Sequence, residues 1–243
     1  MLQRTLIGML TPSSNTVLEP YTSAILADLL PEVTAHFQRF TVTEISLSER
    51  ALQQFDSAPL LEAARILADA RMNVIAWNGT AASWLGFDTD VRLCEQITAT
   101  TGIQATTTIL ALNEVLERTG AKRLGLVTPY MQDVQQRIMG NYEGAGVKVV
   151  AERHLNDRGN FSFSEYDENT IAEMIRAVAA ERPDAITVLC TNMRGARLVA
   201  ELEAELDIPI YDSVSVTVWK TLQMTGVAPS RIKGWGRLFQ QLD

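Results

Sequence analysis

The sequence contains few of the residues on which metal sites and disulfide frameworks depend. It has two cysteines, Cys94 and Cys190, and two histidines, and these four residues are spread along the chain. A structural zinc site needs four ligands close together, and a disulfide framework needs several paired cysteines. We therefore expect no metal, no disulfide framework and a reducing compartment, the cytoplasm.

Long hydrophobic runs and positive charge are also scarce. No segment is apolar over the roughly 20 residues of a membrane-spanning helix. The apolar run Leu6–Leu10 follows Arg4, but Thr11–Asn15 interrupts it, which indicates a first strand and its turn rather than a leader peptide. The net charge of −8 disfavours binding to phosphate backbones. We expect no nucleic-acid or membrane partner, whereas a small anionic substrate and a homo-oligomer both remain open.

The common cofactor and hydrolase motifs are missing as well. Gly144 and Gly146 follow a helical stretch, which is the wrong context for a dinucleotide fingerprint, and no phosphate-binding loop is present. Neither His36 nor His154 lies near a G-x-S-x-G nucleophile motif. We therefore assign no cofactor and no hydrolase triad.

The sequence does contain a regular alternation of strand-like and helix-like segments. Apolar residues make up 47% of the 243, which is enough for a substantial core. Short β-branched runs predict strands at Thr5–Leu10, His36–Val42, Val74–Trp77, Leu124–Val127, Lys148–Ala151, Ile186–Leu189 and Ile208–Ile210. Helical patterns occupy Ser57–Ala70, Ile109–Thr119, Asn169–Ala180 and Ala196–Leu206. This alternation predicts an α/β fold of mostly parallel sheets covered by helices.

The two halves of the chain resemble each other. Leu6–Pro12 (LIGMLTP) matches Leu124–Pro129 (LGLVTP), and Asn73–Thr80 (NVIAWNGT) matches Asp184–Thr191 (DAITVLCT). These matches predict two similar lobes related by a pseudo-twofold axis, with the active site between them. The alternative is that Thr-Pro pairs recur by chance at strand ends.

Small polar residues cluster where four of the predicted strands end. These segments are Thr11–Asn15, Gly79–Ala81, Thr128–Met131 and Cys190–Asn192. Ligands of open α/β sheets bind beyond the carboxyl ends of the strands. If the lobes face each other, all four segments line one cleft.

The first segment has the composition of an anion-binding helix start. Thr16 and Glu19 have capping-box spacing, so a helix should begin near Asn15. Free N–H groups at such a start favour anions, and the side chains of Ser13, Ser14 and Asn15 would add donors for one carboxylate. The alternative is that these residues only cap the helix.

The second and third segments offer further hydrogen-bond donors. Gly79 would let a ligand approach the backbone, and the N–H groups of Thr80 and Ala81 could form an oxyanion hole, although a plain strand-to-helix turn would look the same. The Tyr130 hydroxyl could donate to a carboxylate, although a tyrosine in this place could serve in packing alone.

Cys190 is the candidate for essential acid–base chemistry. It ends a buried strand, and a thiol that faces a helix N-terminus can have a lowered pKa and transfer protons. The alternative is an inert buried cysteine. Cys94, by contrast, shares one helical face with Val91 and Ile97, which predicts core packing.

At these segments the chain resembles the aspartate/glutamate racemase superfamily, most closely the branch of maleate cis–trans isomerases and arylmalonate decarboxylases. Residues 12–16 (PSSNT) resemble the carboxylate-binding turn of the isomerases, and residues 129–131 (PYM) their tyrosine turn. Asn160 follows Gly159 as in a loop with a substrate-binding asparagine. Residues 190–193 (CTNM) resemble the second catalytic cysteine motif, and residues 234–239 (GWGRLF) the C-terminal stretch of the decarboxylases.

The resemblance spans nearly the whole chain and implies the two-lobed fold of the superfamily. In that fold the chain re-enters the first lobe near its C-terminus, so we expect residues 1–106 with 211–243 to form the first lobe and 107–210 the second. It also implies that the polar strand ends and the loop at Asn160 bind the substrate, through Ser13, Ser14, Asn15, Gly79, Thr80, Ala81, Tyr130, Asn160, Thr191 and Asn192.

Position 79 separates the two activities of the branch. The resemblance implies a cysteine there in racemases and isomerases, paired across the cleft with the second cysteine, and Gly-Thr in decarboxylases, as in Gly79-Thr80. The decarboxylase pattern then has a serine where this chain has Ala81, and the Ser13–Asn15 turn is like that of the isomerases. The chain therefore combines features of both activities.

The absence of a second thiol favours decarboxylation. We expect a cofactor-independent decarboxylase of a malonate-like acid, in which Cys190 protonates an enediolate from one face. The leaving carboxylate would enter an apolar pocket that includes Trp77, Trp84 or Met193. The alternatives are an isomerase or racemase with a different second group, a dicarboxylate-binding protein without turnover, and a hydrolase or lyase of ring degradation.

Overall fold

The computed structural model describes residues 4–48 and 57–242 of the chain. In these residues the strands form two separate sheets of four strands each, and every strand pairing is parallel. Within the same residues, no helix combines the length and the apolar composition needed to cross a membrane.

The first lobe contains the N-terminal sheet. Its strands are β1 (Thr5–Pro12), β2 (Val33–Phe40), β3 (Val74–Trp77) and β4 (Ala105–Thr107), and its helices are α1 (Leu18–Ile25), α2 (Ser57–Asp69), α3 (Ala82–Leu85) and α4 (Asp88–Thr101). The strand order is β2-β1-β3-β4. All four residues of the central strand β3 are buried, as its continuous apolar sequence requires.

The second lobe repeats this arrangement. Its strands are β5 (Arg123–Thr128), β6 (Lys148–His154), β7 (Ala185–Val188) and β8 (Ile210–Asp212), and its helices are α5 (Thr108–Thr119), α6 (Gln132–Gly144), α7 (Glu168–Ala179) and α8 (Val199–Leu206). The strand order is β6-β5-β7-β8. Because both sheets have the same order, the prediction of two similar parallel α/β lobes is confirmed.

Several element boundaries differ from the prediction. The predicted set of strands did not include β4, whose three residues, Ala105 to Thr107, are too few to show a periodicity. β2 begins at Val33 rather than at His36. The predicted strand Ile208–Ile210 begins two residues later, at Ile210, because Pro209 has no N–H for the ladder.

The chain crosses back to the first lobe after β8. Helix α9 (Ser213–Met224) follows directly and packs against α1 and α5, and the short α10 (Leu238–Gln241) packs on α9. The hydroxyl oxygens of Thr108 and Thr217 lie 2.8 Å apart and link α5 to α9. The predicted lobe boundary after residue 210 falls inside β8, so that Tyr211 and Asp212 still pair with β7.

Asp212 stands at this crossing with one half of its carboxylate unsatisfied. Its Oδ1 accepts hydrogen bonds from the N–H groups of Val214 and Ser215 and so caps α9. Its buried Oδ2 has no hydrogen-bond partner among the described residues. Burial raises the pKa of Asp212 to about 7, although the two backbone donors lower it in part.

We predict that Asp212→Asn makes the protein less sensitive to rising pH. The raised pKa means that the wild type is destabilised as the pH rises from about 4 to 8, by up to about 4 kcal/mol, because the folded state resists ionisation. Asparagine keeps the Oδ1 cap and cannot ionise. The difference in melting temperature between variant and wild type should therefore grow over this pH range, and a constant difference would contradict the assignment.

Candidate functional site

The four polar strand ends meet around one narrow cavity between the lobes. Its volume is about 20 Å³, enough for about one water molecule. Seven of the predicted site residues line it: Gly79, Thr80, Ala81, Tyr130, Asn160, Cys190 and Thr191. The remaining walls are mainly apolar and are formed by Pro12, Val42, Ile45, Trp77 and Trp84. The site is therefore narrow and nearly dry.

Four predicted site residues do not line this cavity. The hydroxyl groups of Ser13 and Ser14 both donate to the carbonyl oxygen of Val42, at 3.4 and 2.7 Å, and so fasten β1 to the segment after β2. Asn15 and Asn192 are buried beside the cavity and join the two lobes.

The start of α1 is capped by asparagine side chains rather than by a capping box. Asn15 Oδ1 accepts from the N–H groups of Val17 and Leu18, at 3.0 and 2.9 Å. Asn192 Oδ1, from the other lobe, accepts from Thr16 at 2.9 Å. The predicted capping box is wrong, because Glu19 forms an ion pair with Arg39 at 2.9 Å instead.

Thr191 connects both lobes through its hydroxyl. The Asn15 side-chain amide donates to Thr191 Oγ1 at 3.1 Å, and the Thr191 hydroxyl donates to the carbonyl oxygen of Asn78 at 3.1 Å. This chain of bonds fixes the residue next to Cys190 against the ends of β1 and β3. The thiol position is thus determined by both lobes.

Tyr130 faces Thr80 across the cavity. Their hydroxyl oxygens are 2.5 Å apart, and Tyr130 is fully buried between Trp84 and Phe163, with ring centroids at 5.2 and 5.7 Å. Burial, together with the nearby sulfur of Cys190, raises the pKa of Tyr130 well above its ordinary value. Tyr130 is therefore a neutral hydroxyl that can donate a hydrogen bond to an anion.

The Cys190 sulfur is buried and accepts hydrogen bonds. The Asn192 N–H lies 3.4 Å from it. Burial raises the pKa of the thiol to about 12, although the N–H groups of Asn192 and Met193 and the Tyr130 hydroxyl lower it in part. The prediction of a lowered pKa is wrong, because desolvation outweighs these donors. Cys190 is a protonated thiol at neutral pH, which suits it to donate a proton.

Backbone N–H groups around the cavity are free to bind an anion. Among the described residues, the N–H groups of Thr80, Ala81 and Thr191 form no hydrogen bond. All three residues line the cavity. Together with the hydroxyl of Tyr130, they provide donors from both lobes for a carboxylate or an enediolate.

The loop after β6 closes one side of the site. Asn160 Nδ2 donates to the carbonyl oxygen of Val42 at 3.3 Å, and Glu44 and Gly159 form an isolated antiparallel bridge. Loop 156–167 is thereby fastened to the segment after β2. Asn160 presents its side chain at the cavity wall, as the resemblance implied.

Cys94 lies outside the site. It is on α4, partly buried, and burial raises the pKa of its thiol to about 12. Its helical neighbour Ile97 is fully buried, in line with the packing role predicted for this face. Val91 was placed wrongly on that face, since 42% of it is exposed.

Two cavity residues were missed from the sequence. Val42 and Ile45 follow β2, which neighbours β1, so the rule that ligands bind beyond strand ends would have included them. Their side chains carry no polar group, so the sequence gave no chemical reason to select them.

Trp77 and Trp84 line the cavity as expected, whereas Met193 does not. The described residues also contain no cluster of three or more potential metal ligands.

Comparison with known proteins gives matches along nearly the full length. A family model described as arylmalonate decarboxylase matches residues 8–239. A maleate isomerase from Geobacillus stearothermophilus is 25% identical over 228 residues, covering 89% of this chain and 90% of that protein. An arylmalonate decarboxylase from Bordetella bronchiseptica is 24% identical, covering 95% of this chain and 98% of that protein.

Solved structures share the fold. A maleate isomerase from Pseudomonas putida S16, crystallised with maleate, has a TM-score of 0.86 at 25% identity and covers 98% of both chains. A structure of arylmalonate decarboxylase has a TM-score of 0.77 at 24% identity, covering 97% of this chain and 99% of that one. The resemblance seen in the strand-end motifs is thus confirmed, and the chain belongs to the arylmalonate decarboxylase family, whose named relatives are enzymes.

Proposed function

We propose that this protein is a cofactor-independent decarboxylase of a malonate-like dicarboxylic acid. The observation that carries the proposal is that one cavity combines a protonated thiol, Cys190, with a glycine, Gly79, where a second thiol would otherwise stand. A single acid is sufficient to protonate a carbanion from one face, whereas racemisation requires a group on each face. The arrangement is suited to one-sided protonation.

The reaction uses one proton from the enzyme in each turnover. The bond between the α-carbon and the leaving carboxylate breaks, carbon dioxide departs, and the electron pair passes into the remaining carboxylate as an enediolate. Cys190 then transfers its thiol proton to the α-carbon, which gives a monocarboxylic acid and a thiolate. The thiolate regains a proton from water, and no oxidant or reductant is needed.

The cavity of about 20 Å³ would have to widen to admit a malonate, and its polar half would then bind the retained carboxylate. The hydroxyl groups of Thr80 and Tyr130 bond to each other in the structure and would turn to the substrate oxygens. The free N–H groups of Thr80, Ala81 and Thr191 would add donors that strengthen as charge moves onto these oxygens. The backbone donors are held by the strand ends before reaction, so only the two hydroxyl groups have to reorient when the substrate binds.

The leaving carboxylate would lie against the apolar half. Val42, Ile45 and Trp84 line this side and offer no charge to stabilise an anion. Loss of water disfavours a carboxylate relative to neutral carbon dioxide and so favours cleavage.

Maleate isomerisation is the second candidate. Four of the five curated relatives are named maleate isomerases, and one solved structure holds maleate. The turn at Ser13–Asn15 is also isomerase-like. Isomerisation by thiolate addition would require Cys190 to lose its proton first. Because burial raises the pKa of Cys190 to about 12, the thiol is protonated at neutral pH, which favours the decarboxylase.

The first prediction concerns Cys190 and is tested with a substrate panel. We expect the wild type to release carbon dioxide from malonate or methylmalonate, and Cys190→Ala to lose at least about a hundredfold in rate, because the acid is removed. NMR in heavy water measures product and deuterium uptake. Cys94→Ala is the control and should retain activity. Turnover of maleate alone would replace this proposal with the isomerase.

The second prediction uses pH to distinguish acid from nucleophile. Because burial raises the pKa of Cys190 to about 12, the thiol stays protonated up to about pH 10. The kcat/KM of a decarboxylase that uses this acid should therefore stay level between pH 7 and 10. A rate that rises about tenfold per pH unit would instead show that the thiolate is the active form.

The third prediction concerns Tyr130, with Tyr142 as a matched control. Both tyrosines are buried, but the Tyr142 hydroxyl has no hydrogen-bond partner among the described residues. Tyr130→Phe should lower kcat/KM about ten- to a hundredfold, because a hydrogen bond to a carboxylate is worth roughly 1.5–3 kcal/mol. Tyr142→Phe should stay near the wild type. Equal effects in both variants would mean that Tyr130 serves only in packing.

A further inference from the structure

The ring of Trp77 occupies the space beside Gly79. A β-carbon built at position 79 would overlap the six-membered ring of Trp77. Gly79 is absent from the glycines with positive φ, so its backbone would accept any residue and the restriction is steric. Trp77 is 2% exposed and is held in place by Phe40, with ring centroids 5.0 Å apart. The position that would carry a second thiol is therefore filled by an indole.

Trp77 also borders a second pocket. Trp77 and Ala81 line the narrow site of about 20 Å³, and they also line an outer pocket of about 210 Å³. Three leucines give the outer pocket apolar walls, and polar residues that include Asp90 and Arg92 form the remainder. Cys190 lines the narrow site and not the outer pocket. Among the described residues, Trp77 and Ala81 alone line both.

We propose that Trp77 determines substrate size by closing the site off from this outer pocket. The inference rests on the proposed function and names its substrate class: malonates whose α-substituents are small, such as hydrogen or methyl. Of the two described residues that line both pockets, Trp77 has by far the larger side chain, so its indole is the part of the shared wall that a large α-substituent would meet. Removal of the indole joins the two volumes.

A matched pair of variants tests this role. Trp77→Leu and Trp84→Leu remove the same atoms from two tryptophans that both line the narrow site, but only Trp77 also lines the outer pocket. The readout is the ratio of kcat/KM for phenylmalonate to that for methylmalonate. We expect Trp77→Leu to raise this ratio at least tenfold and Trp84→Leu to leave it within about threefold of the wild type. An unchanged ratio in Trp77→Leu, or an equal rise in both, overturns the inference.

Binding separates this inference from the proposed function. Phenylacetate and propionate are product-sized probes whose affinities can be measured by calorimetry without turnover. Trp77→Leu should strengthen phenylacetate binding relative to propionate at least tenfold, even if no malonate is decarboxylated. In that case the proposed function fails and the role of Trp77 stands. If instead the wild type decarboxylates methylmalonate but Trp77→Leu does not bind phenylacetate more tightly, the proposed function stands and the role of Trp77 fails.

Stability provides a test that needs no ligand. Gly79→Ala should lower the denaturation midpoint in the wild type, because the added methyl group meets the indole, and should have a smaller effect in the Trp77→Leu background. Gly140→Ala is the control, since a β-carbon there meets nothing within 4 Å. If Trp77→Leu does not fold, Trp77→Phe takes its place in both experiments. Equal effects of Gly79→Ala in both backgrounds contradict the packing of Trp77 against Gly79.

Discussion

The side chain of Asn192 holds together the segments from which the site is built. Its Oδ1 accepts from the backbone of Thr16 at the start of α1, and its Nδ2 donates to the carbonyl oxygen of Asn160 in the loop after β6. Its own N–H donates to the sulfur of Cys190. One buried asparagine thus satisfies a helix start and fastens a loop through its side chain, and contacts the thiol sulfur through its backbone N–H. A buried polar group left without these partners would cost about 1–3 kcal/mol, so the lobes are held in one arrangement.

This closure determines what the thiol can do. The cavity has almost no room for water, and desolvation keeps Cys190 protonated despite several donors around the sulfur. The same exclusion of water strengthens the donors that would bind a carboxylate. The same packing therefore keeps the acid protonated and keeps water away from the anion site. Gly79 and Trp77 add to this arrangement, because they leave no thiol in the first lobe opposite Cys190.

The fold was largely predictable, because its signals are local and repeated. The buried runs at β1, β3, β5 and β7 and the matched Thr-Pro strand ends predict two similar sheets. Six site residues also followed from the positions of strand ends, and a seventh, Asn160, from the family resemblance. The rest depends on tertiary contacts that leave no trace in spacing. Part of the cap of α1 comes from Asn192, 176 positions from Thr16, and the ring of Trp77 turns back over Gly79.

The central claim is that a single thiol delivers a proton to one face of a decarboxylated intermediate. The most direct measurement is the stereochemistry of protonation with methylmalonate in heavy water. The account predicts propionate with one deuterium at the α-carbon in a single configuration, because the proton comes only from Cys190. A racemic product formed by the enzyme would contradict it, since protons would then reach both faces.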